Sequence, residues 1–253
     1  PGFEPRASQQ AMAAAIEAAL AEGTTLVVEA GTGTGKTYAY LVPALLHQRR
    51  VIVSTGTKTV QDQLFHRDLP RVCKALRVNP KKALLKGRAN YLCLHRLEQS
   101  EEQARLASRE AVRHLAAVRA WARMTRSGDR MELDSVPEDS SVWPWVTSTA
   151  DNCLGSDCPH YEDCFVVKAR RRAQNAEIVV VNHHLLCADL SIKREGFGEI
   201  LPGADAFVID EAHQIAEVAS QFFTTSLSSR QRVELCTDTL SEAATQPGAL
   251  AWL

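Results

Sequence analysis

The chain has 253 residues, 45% of them hydrophobic, and a formal net charge of −1. This length accommodates one or two globular domains, and the near-neutral charge means that any affinity for nucleic acid must come from local basic patches. The sequence has neither a long apolar run nor a signal-peptide pattern, so we expect no membrane span, no secretion and a cytoplasmic location. Seven cysteines in such a chain favour free thiols or metal ligands over disulfides.

Apolar patterning predicts alternating strands and helices along the chain. The predicted strands are at 26–28, 51–53, 83–85, 178–181 and 206–209, and the predicted helices are at 8–22, 38–46, 60–65, 101–124 and within 216–253. Residues 125–152 are rich in Ser, Thr, Asp and Pro, and they predict an extended insertion with little regular structure. Repeated strand–helix units favour an α/β fold in which helices cover both faces of a parallel sheet.

A glycine-rich loop follows the strand predicted at 26–28 and precedes a helix. Its glycines allow backbone N–H groups to close around phosphate oxygens at a helix N-terminus, which already favours anions. Lys36 would reach the β- and γ-phosphates of a nucleotide, and Thr37 would give its hydroxyl to magnesium. The simpler alternative is a flexible glycine turn beside an ordinary lysine. The predicted nucleotide-binding residues of the loop are Ala30, Gly31, Thr32, Gly33, Thr34, Gly35, Lys36 and Thr37.

An acidic tetrapeptide, Asp210-Glu211-Ala212-His213, follows the strand predicted at 206–209. Asp210 would bind magnesium directly or through water, and Glu211 would orient and deprotonate the attacking water. His213 is close enough to sense the nucleotide site and to pass its state to a neighbouring domain. Taken alone, the tetrapeptide has a simpler alternative as a polar helix cap. The predicted catalytic residues are Lys36, Asp210, Glu211 and His213.

Four cysteines form a second signal, because Cys93 lies upstream of a compact group formed by Cys153, Cys158 and Cys164. Four thiolates that converge from a loop-rich region would satisfy either an iron–sulfur cluster or a zinc ion. Zinc sites commonly use Cys-x2-Cys pairs, whereas the wider spacings in this chain suit a four-iron cluster better. The alternative is a set of unrelated buried thiols.

Several segments of the chain match one known family. They are Pro5-Arg6-x-x-Gln9, the phosphate loop, Ser54-Thr55-Gly56-Thr57, Leu85-Lys86-Gly87-Arg88-x-Asn90-Tyr91-x-Cys93, the three clustered cysteines, residues 181–186 and the acidic tetrapeptide. With these segments the chain resembles the XPD-like iron–sulfur DNA helicases of superfamily 2, and within that family the bacterial DinG/YoaA-type proteins. Ala30 stands where the general phosphate-loop motif has glycine, and it matches the version found in superfamily 2.

The resemblance implies a RecA-like first motor domain, in which helices flank a parallel sheet, with an inserted iron–sulfur cluster domain. It implies ATP and Mg²⁺ as ligands, and a [4Fe–4S] cluster bound by Cys93, Cys153, Cys158 and Cys164. The expected activity is that of an ATP-dependent 5′–3′ DNA helicase, which translocates on single-stranded DNA and unwinds forked or damaged duplexes in repair or replication. The expected location is the bacterial cytoplasm, in association with the nucleoid.

By the same resemblance the chain divides into four segments. The motor domain would occupy 1–90 and 167–215, the cluster insertion 91–166, and the start of a truncated, arch-like helical insertion 216–253. A helicase of this type needs an arginine from a second motor domain, for which this sequence shows no pattern. We therefore expect the 253 residues alone to bind nucleotide weakly and to hydrolyse it poorly.

The resemblance also assigns residues of lesser specificity. Arg6 and Gln9 match the segment that reads adenine, although solvated residues at a helix start would look the same. The residues expected to contact DNA are Ser54, Thr55, Gly56, Lys58, Lys86, Arg88, Tyr91, Lys168 and Arg170. A turn or solvated charge is the simpler explanation for any single one of them. Two other functional classes stay open: a nucleotide-triggered switch without strand separation, and a metal-stapled DNA-binding module. The sequence does not indicate a protein partner.

Overall fold

The computed structural model describes residues 6–47, 49–104, 108–196, 198–224 and residue 236. The helices are α1 (Ala7–Glu22), α2 (Lys36–Leu46), α3 (Lys58–Gln63), α4 (Leu69–Leu76), α5 (Leu94–Ala104), α6 (Arg109–Ala122), α7 (Trp143–Val146), α8 (Phe165–Gln174), α9 (His183–Glu195) and α10 (Ile215–Phe223). The strands are β1 (Val51–Thr55), β2 (Lys82–Leu84), β3 (Ile178–Asn182) and β4 (Ala206–Ile209). Within these ranges no helix has the length and apolar character needed to cross a membrane.

The four strands form one sheet in the order β2-β3-β1-β4, and every neighbouring pair is parallel. Every residue of β1 and β3 is buried, because parallel sheets are covered on both faces and their central strands are apolar throughout. The prediction of a parallel sheet with flanking helices is confirmed, and the arrangement is consistent with a RecA-like domain. The strands predicted at 51–53, 83–85, 178–181 and 206–209 all form.

Two apolar clusters cover opposite faces of the sheet. On one face, Leu41 of α2 and Leu69 of α4 join Val51 and Val53 of β1. On this face the chain passes from α3 into α4 through a single π-helical turn, Leu64–Asp68. The helices that directly follow the phosphate loop and β1 are therefore fixed to the sheet by apolar packing.

The other face carries the larger cluster, which contains Ile52 of β1 and Val179 of β3. Trp143 and Val146, from the insertion expected at 91–166, belong to the same cluster. As predicted, most of 125–152 lacks regular structure, and short helical turns are what it contains. The apolar packing thus continues from the sheet into the insertion, across the boundary that the resemblance implied at residue 91.

The helix predicted at 101–124 forms as two helices, α5 and α6. Ser108 begins α6 by accepting a hydrogen bond from the Ala111 N–H at 3.2 Å, which is the usual role of a serine N-cap. The apolar residues of 101–124 predict one buried face of this helix, and three of them, Ala111, Leu115 and Val118, are buried. Leu106 and Ala107, which belong to the same predicted face, lie outside the described residues. So do residues 225–235 and 237–253, where further helices were predicted after α10.

The strand predicted at 26–28 does not form, so this prediction is wrong. Its three apolar side chains are exposed, Val27 by 90%, and the segment runs irregularly from α1 to the phosphate loop. A strand in a parallel sheet needs a neighbour that supplies ladder hydrogen bonds and helices that cover its faces. In the described sheet β4 pairs with β1 alone, and packing of α1 against α2 fixes both ends of the segment.

Two other elements form but are less buried than the sequence predicts. β4 is an edge strand, so Phe207 is half exposed. α1 contains no buried residue, although Ile16 from its predicted apolar face does contact the cluster next to α2. Apolar periodicity indicates the type of an element, but it does not indicate how many neighbours that element will have.

Lys86 lies two residues after the end of β2, and its side chain is fully buried. Its ammonium nitrogen lies 2.7 Å from Asp62 Oδ1 and 2.6 Å from Asp129 Oδ2. Asp62 belongs to α3 and Asp129 to the insertion, so this cation joins both segments to the end of β2. The main-chain N–H of Lys86 also donates to the hydroxyl of buried Tyr91 at 3.0 Å.

We expect Lys86→Ala to lower the free energy of unfolding by roughly 2–4 kcal/mol, because two carboxylates would then face each other without their cation. Urea-induced unfolding measures this change. Lys82→Ala is the matched control, since Lys82 is exposed on the adjacent strand and a surface substitution should stay within about 0.5 kcal/mol of the parent. Equal destabilisation by the two variants would contradict the role given to Lys86.

Candidate active site

The phosphate loop ends where α2 begins, and its glycines have conformations that other residues avoid. Gly33 and Gly35 have φ values of 77° and 82°, a left-handed region that costs residues with a Cβ about 1–2 kcal/mol. A Cβ on Gly35 would also collide with the side-chain amide of Gln9. Across the turn, Thr34 Oγ1 donates to the Gly31 carbonyl at 2.8 Å. The backbone of the loop therefore requires glycine at positions 33 and 35.

Arg6 and Gln9, which the resemblance assigned to adenine, both contact this loop. Gln9 Nε2 donates to the Gly35 carbonyl at 3.0 Å, and the Arg6 guanidinium donates to the Gly33 carbonyl. In this arrangement the two side chains attach α1 to the loop. Recognition of adenine by Arg6 and Gln9 therefore stays a proposal.

The loop and the acidic tetrapeptide are far apart in the sequence, but they meet at the ends of the strands. Lys36 Nζ lies 3.1 Å from Glu211 Oε1, and His213 Nδ1 lies 3.5 Å from the other Glu211 oxygen. The Lys36 and Glu211 side chains are 28% and 38% exposed, so a ligand can approach both. Glu211 has a φ of 53°, a strained conformation for a residue with a Cβ.

Hydrogen bonds fix both carboxylate oxygens and the main chain of Asp210. The Tyr40 hydroxyl donates to Oδ2 at 3.1 Å, and the Glu211 N–H donates to Oδ1 at 3.1 Å. The Asp210 N–H itself donates to the Ser54 carbonyl at 2.9 Å, which extends the pairing of β1 with β4. Burial, together with the Asp210 charge, raises the pKa of Tyr40, so its hydroxyl remains a donor.

The residues around Asp210 fit magnesium. The Tyr40 hydroxyl donates to Asp210, and Thr37 lies one turn before Tyr40 on α2, so the Thr37 hydroxyl and the Asp210 carboxylate belong to the same end of the sheet. Oxygen ligands of these two kinds are what magnesium takes beside nucleotide phosphates. Tyr40 is absent from the residues that the sequence predicts, but it lies three positions after Thr37. That spacing places both residues on one face of α2, and it is the signal that indicates Tyr40.

His183 is a second residue that the sequence-based site omits. It is fully buried, and its Nδ1 lies 2.7 Å from Ser54 Oγ. The ring approaches the main chain of Asp210 and Glu211, while Nε2 makes no hydrogen bond of normal geometry. Burial lowers the pKa of His183, so the ring is neutral at neutral pH.

The four cysteines predicted as metal ligands line one cavity of about 360 Å³. Burial raises the pKa of the Cys93 thiol, and the nearby Cys164 and Cys158 raise it further. Arg88 Nη1 donates to Cys153 Sγ at 2.6 Å. All seven cysteines of the chain are free thiols. The structure therefore brings these four together on one surface.

In the part of the chain that the structure describes, no group of three or more His, Cys, Asp or Glu side chains is arranged to hold a metal ion. The four thiols share a cavity, but they do not converge on one point. Arg170 also lines the cavity; burial and the neighbouring Arg88 lower its pKa. A sulfur donor set with two adjacent cations suits a thiolate-bound iron–sulfur cluster better than it suits a hard cation.

Most side chains expected to contact DNA are buried or face the cysteine cavity: Ser54, Thr55, Lys86 and Tyr91 are buried, and Arg88 and Arg170 line the cavity. For these six a contact with DNA stays a prediction, and their side chains contact other protein groups in this structure. Ser54 and Thr55 are inside a fully covered strand, and the Lys86 charge is already paired. Gly56, Lys58 and Lys168 are partly exposed.

Comparison with known proteins agrees with this geometry. Residues 8–116 match the family model of the DEAD/DEAH box helicases. The chain is 56% identical to the ATP-dependent DNA helicase YoaA of Escherichia coli, over 94% of this chain and 37% of that protein. YoaA of Haemophilus influenzae is 53% identical over the same shares. The ATP-dependent helicase DinG of Mycobacterium tuberculosis is 41% identical, over 90% of this chain and 37% of that protein.

A parallel sheet that brings a phosphate loop onto an Asp-Glu-Ala-His tetrapeptide is similar to a DEAD/DEAH box helicase domain, and the phosphate loop lies within the residues, 8–116, that match that family model. More narrowly, the chain is related to the ATP-dependent DNA helicases YoaA and DinG. It spans 37% of the length of each of these relatives.

Gly35→Ala should lower the free energy of unfolding by about 1–2 kcal/mol, since alanine reaches the left-handed region only at that cost. The new Cβ would also displace the Gln9 amide. Gly31→Ala is the matched control, because Gly31 has an ordinary φ and open space where a Cβ would lie. Urea unfolding compares the two variants. A loss of the same size at Gly31 would mean that the conformation at position 35 is not the cause.

Proposed function

We propose that the chain is the nucleotide-binding motor part of an ATP-dependent DNA helicase, which moves 5′ to 3′ along single-stranded DNA and separates duplex strands in repair or replication. One observation carries the proposal: Lys36 of the phosphate loop lies 3.1 Å from Glu211. The relatives are named as ATP-dependent DNA helicases, which supports ATP and DNA as ligands. The direction of movement rests on the resemblance alone.

Each catalytic residue has a role in this proposal. Lys36 leaves Glu211 to contact the β- and γ-phosphates, and its cation offsets their negative charge. The released Glu211 carboxylate orients a water molecule and accepts its proton. Bound magnesium neutralises charge on the phosphates, and Thr37 and Asp210 are the residues that would hold it. His213, 3.5 Å from Glu211, would pass the position of that carboxylate to a neighbouring domain.

Glu211→Gln should retain nucleotide binding and abolish hydrolysis, because the amide keeps the size of the side chain but accepts no proton. Lys36→Ala should weaken nucleotide binding strongly, because it removes the cation that would contact the β- and γ-phosphates. Binding is measured on the 253-residue chain, and hydrolysis on the intact gene product with and without single-stranded DNA. Hydrolysis by Glu211→Gln at the parent rate would contradict the assigned mechanism.

The 253 residues alone should turn over ATP slowly. A second motor domain contributes an arginine that is worth a factor of roughly 10³–10⁵ in such enzymes. Rapid, DNA-stimulated hydrolysis by the 253-residue chain would therefore contradict this part of the proposal. A nucleotide-triggered switch would instead hydrolyse ATP without separating strands, and a strand-displacement assay on the intact gene product distinguishes the two.

The DNA track in this proposal crosses the carboxyl ends of the strands, where open α/β sheets bind their ligands. The side-chain amide of Gln214 packs on Gly56, so the segment after β1 contacts the residue that follows the acidic tetrapeptide. Burial and the nearby Arg130 lower the pKa of Lys58, while Glu138 and Asp129 act in the opposite direction. Lys58 is partly exposed, and its cation is the group in this segment that would meet a phosphate backbone. The same proposal includes forked or damaged duplexes as substrates. It also places the protein in the cytoplasm, in association with the nucleoid.

We further propose that the cysteine cavity holds a [4Fe–4S] cluster through Cys93, Cys153, Cys158 and Cys164. The support is a cavity of about 360 Å³ that all four thiols line. Such ligation would pin an insertion that has little regular structure, so its role is structural. This proposal keeps the domain division that the resemblance implies. The motor domain is 1–90 and 167–215, the cluster insertion is 91–166, and the start of a helical insertion is 216–253.

Protein purified without oxygen should carry about four irons per chain together with broad visible absorption. Cys158→Ser should lose most of both, because one cluster ligand is removed. Cys236→Ser is the matched control, since Cys236 is an exposed free thiol, and it should keep both signals. Metal analysis that finds zinc and no iron in the parent protein would rule out the cluster.

A further inference from the structure

Tyr40 places one polar atom beside the nucleotide site from within the core. Its ring belongs to the apolar cluster between α2 and the sheet, and the residue is 3% exposed. Its hydroxyl donates to Asp210 Oδ2 at 3.1 Å. Because close packing fixes a buried ring in one rotamer, the position of this hydroxyl is set by the core and not by the loop.

The Asp210 carboxylate needs such a fixed partner. The terminal torsion of an aspartate is broad, so its two oxygens turn easily when nothing holds them. The Glu211 N–H holds Oδ1 at 3.1 Å, and Tyr40 holds Oδ2 from the opposite element. Each carboxylate oxygen accepts one of these hydrogen bonds, and the two bonds together fix the plane of the carboxylate. The remaining lone pairs of the two oxygens then point in fixed directions.

Thr37 is part of the same arrangement. It precedes Tyr40 by three positions on the same face of α2. Tyr40 is therefore on the helix that carries one residue that fits magnesium, Thr37, and its hydroxyl bonds the other, Asp210.

We propose that Tyr40 is a positioning residue of the nucleotide site, whose hydroxyl orients the Asp210 carboxylate. The inference rests on the proposed function, because it assumes that a magnesium–nucleotide complex binds here. It predicts a selective defect. Removing the hydroxyl weakens the binding of magnesium–nucleotide, and it leaves the binding of metal-free nucleotide unchanged, since Lys36 and the loop glycines are not altered.

Tyr40→Phe tests this, because it keeps the ring and removes only the hydroxyl. The probe is a fluorescent methylanthraniloyl derivative of ATP, titrated into the 253-residue chain in EDTA and again in magnesium chloride. We expect the gain in affinity on adding magnesium to fall by roughly 3- to 10-fold in Tyr40→Phe, the size of effect that a single hydrogen bond supports. Tyr38→Phe is the matched control, as Tyr38 lies on the same helix and is 38% exposed, and it should keep the full gain.

These titrations distinguish failure of the inference about Tyr40 from failure of the proposed nucleotide site. If the parent chain gains no affinity from magnesium, the proposed nucleotide site fails and the inference fails with it. If the parent and Tyr38→Phe gain affinity and Tyr40→Phe gains as much, the site stands and the positioning role is overturned. Equal weakening of Tyr40→Phe in EDTA and in magnesium would make Tyr40 a packing residue, which also overturns the inference.

Discussion

The pairing of β1 with β3 on one side and β4 on the other is the interaction on which the candidate site depends. Parallel strands end at the same edge of a sheet, so the residues that follow β3 and β4 lie on either side of the end of β1. Ser54 is opposite Val181 in one direction and Ile209 in the other. Asp210 and His183 are therefore neighbours of Ser54 because of strand register alone, before any side chain of the site makes a contact.

Ser54 shows how this edge links two functions that the proposal assigns to separate segments. Its carbonyl accepts from the Asp210 N–H, and its hydroxyl contacts His183. Ser54 begins the segment that continues through Gly56 to Lys58, where we place the DNA track. A shift of that segment would displace Asp210 through a direct hydrogen bond, without a chain of intermediate residues. In the proposed motor, the route from the DNA track to Asp210 would therefore be a single hydrogen bond.

The sequence predicted those features that depend on local chemistry. The phosphate loop is evident from the sequence because glycine adopts the left-handed backbone at the least cost, and the strands around Val53 and Val180 because fully covered strands are apolar throughout. Features that depend on neighbours are not evident. The prediction of a strand at 26–28 is wrong because an apolar run does not reveal whether a partner strand will bond to it. The sequence does not distinguish a buried, paired lysine such as Lys86 from an exposed one, and contact of Lys86 with DNA stays a prediction. Tyr40 is absent from the predicted site because a core position of a helix looks apolar whether or not its hydroxyl reaches a carboxylate.

The apolar cluster that joins the sheet to the insertion has a consequence for how the protein unfolds. Ile52 and Val179 of the sheet pack in the same cluster as Trp143 and Val146 of the insertion, and Lys86 adds a buried ionic link between them. Packing of the two parts in one core favours their unfolding together. Cys164 lines the cysteine cavity and also packs against this cluster. We therefore expect damage at that thiol to weaken the core that the insertion shares with the sheet.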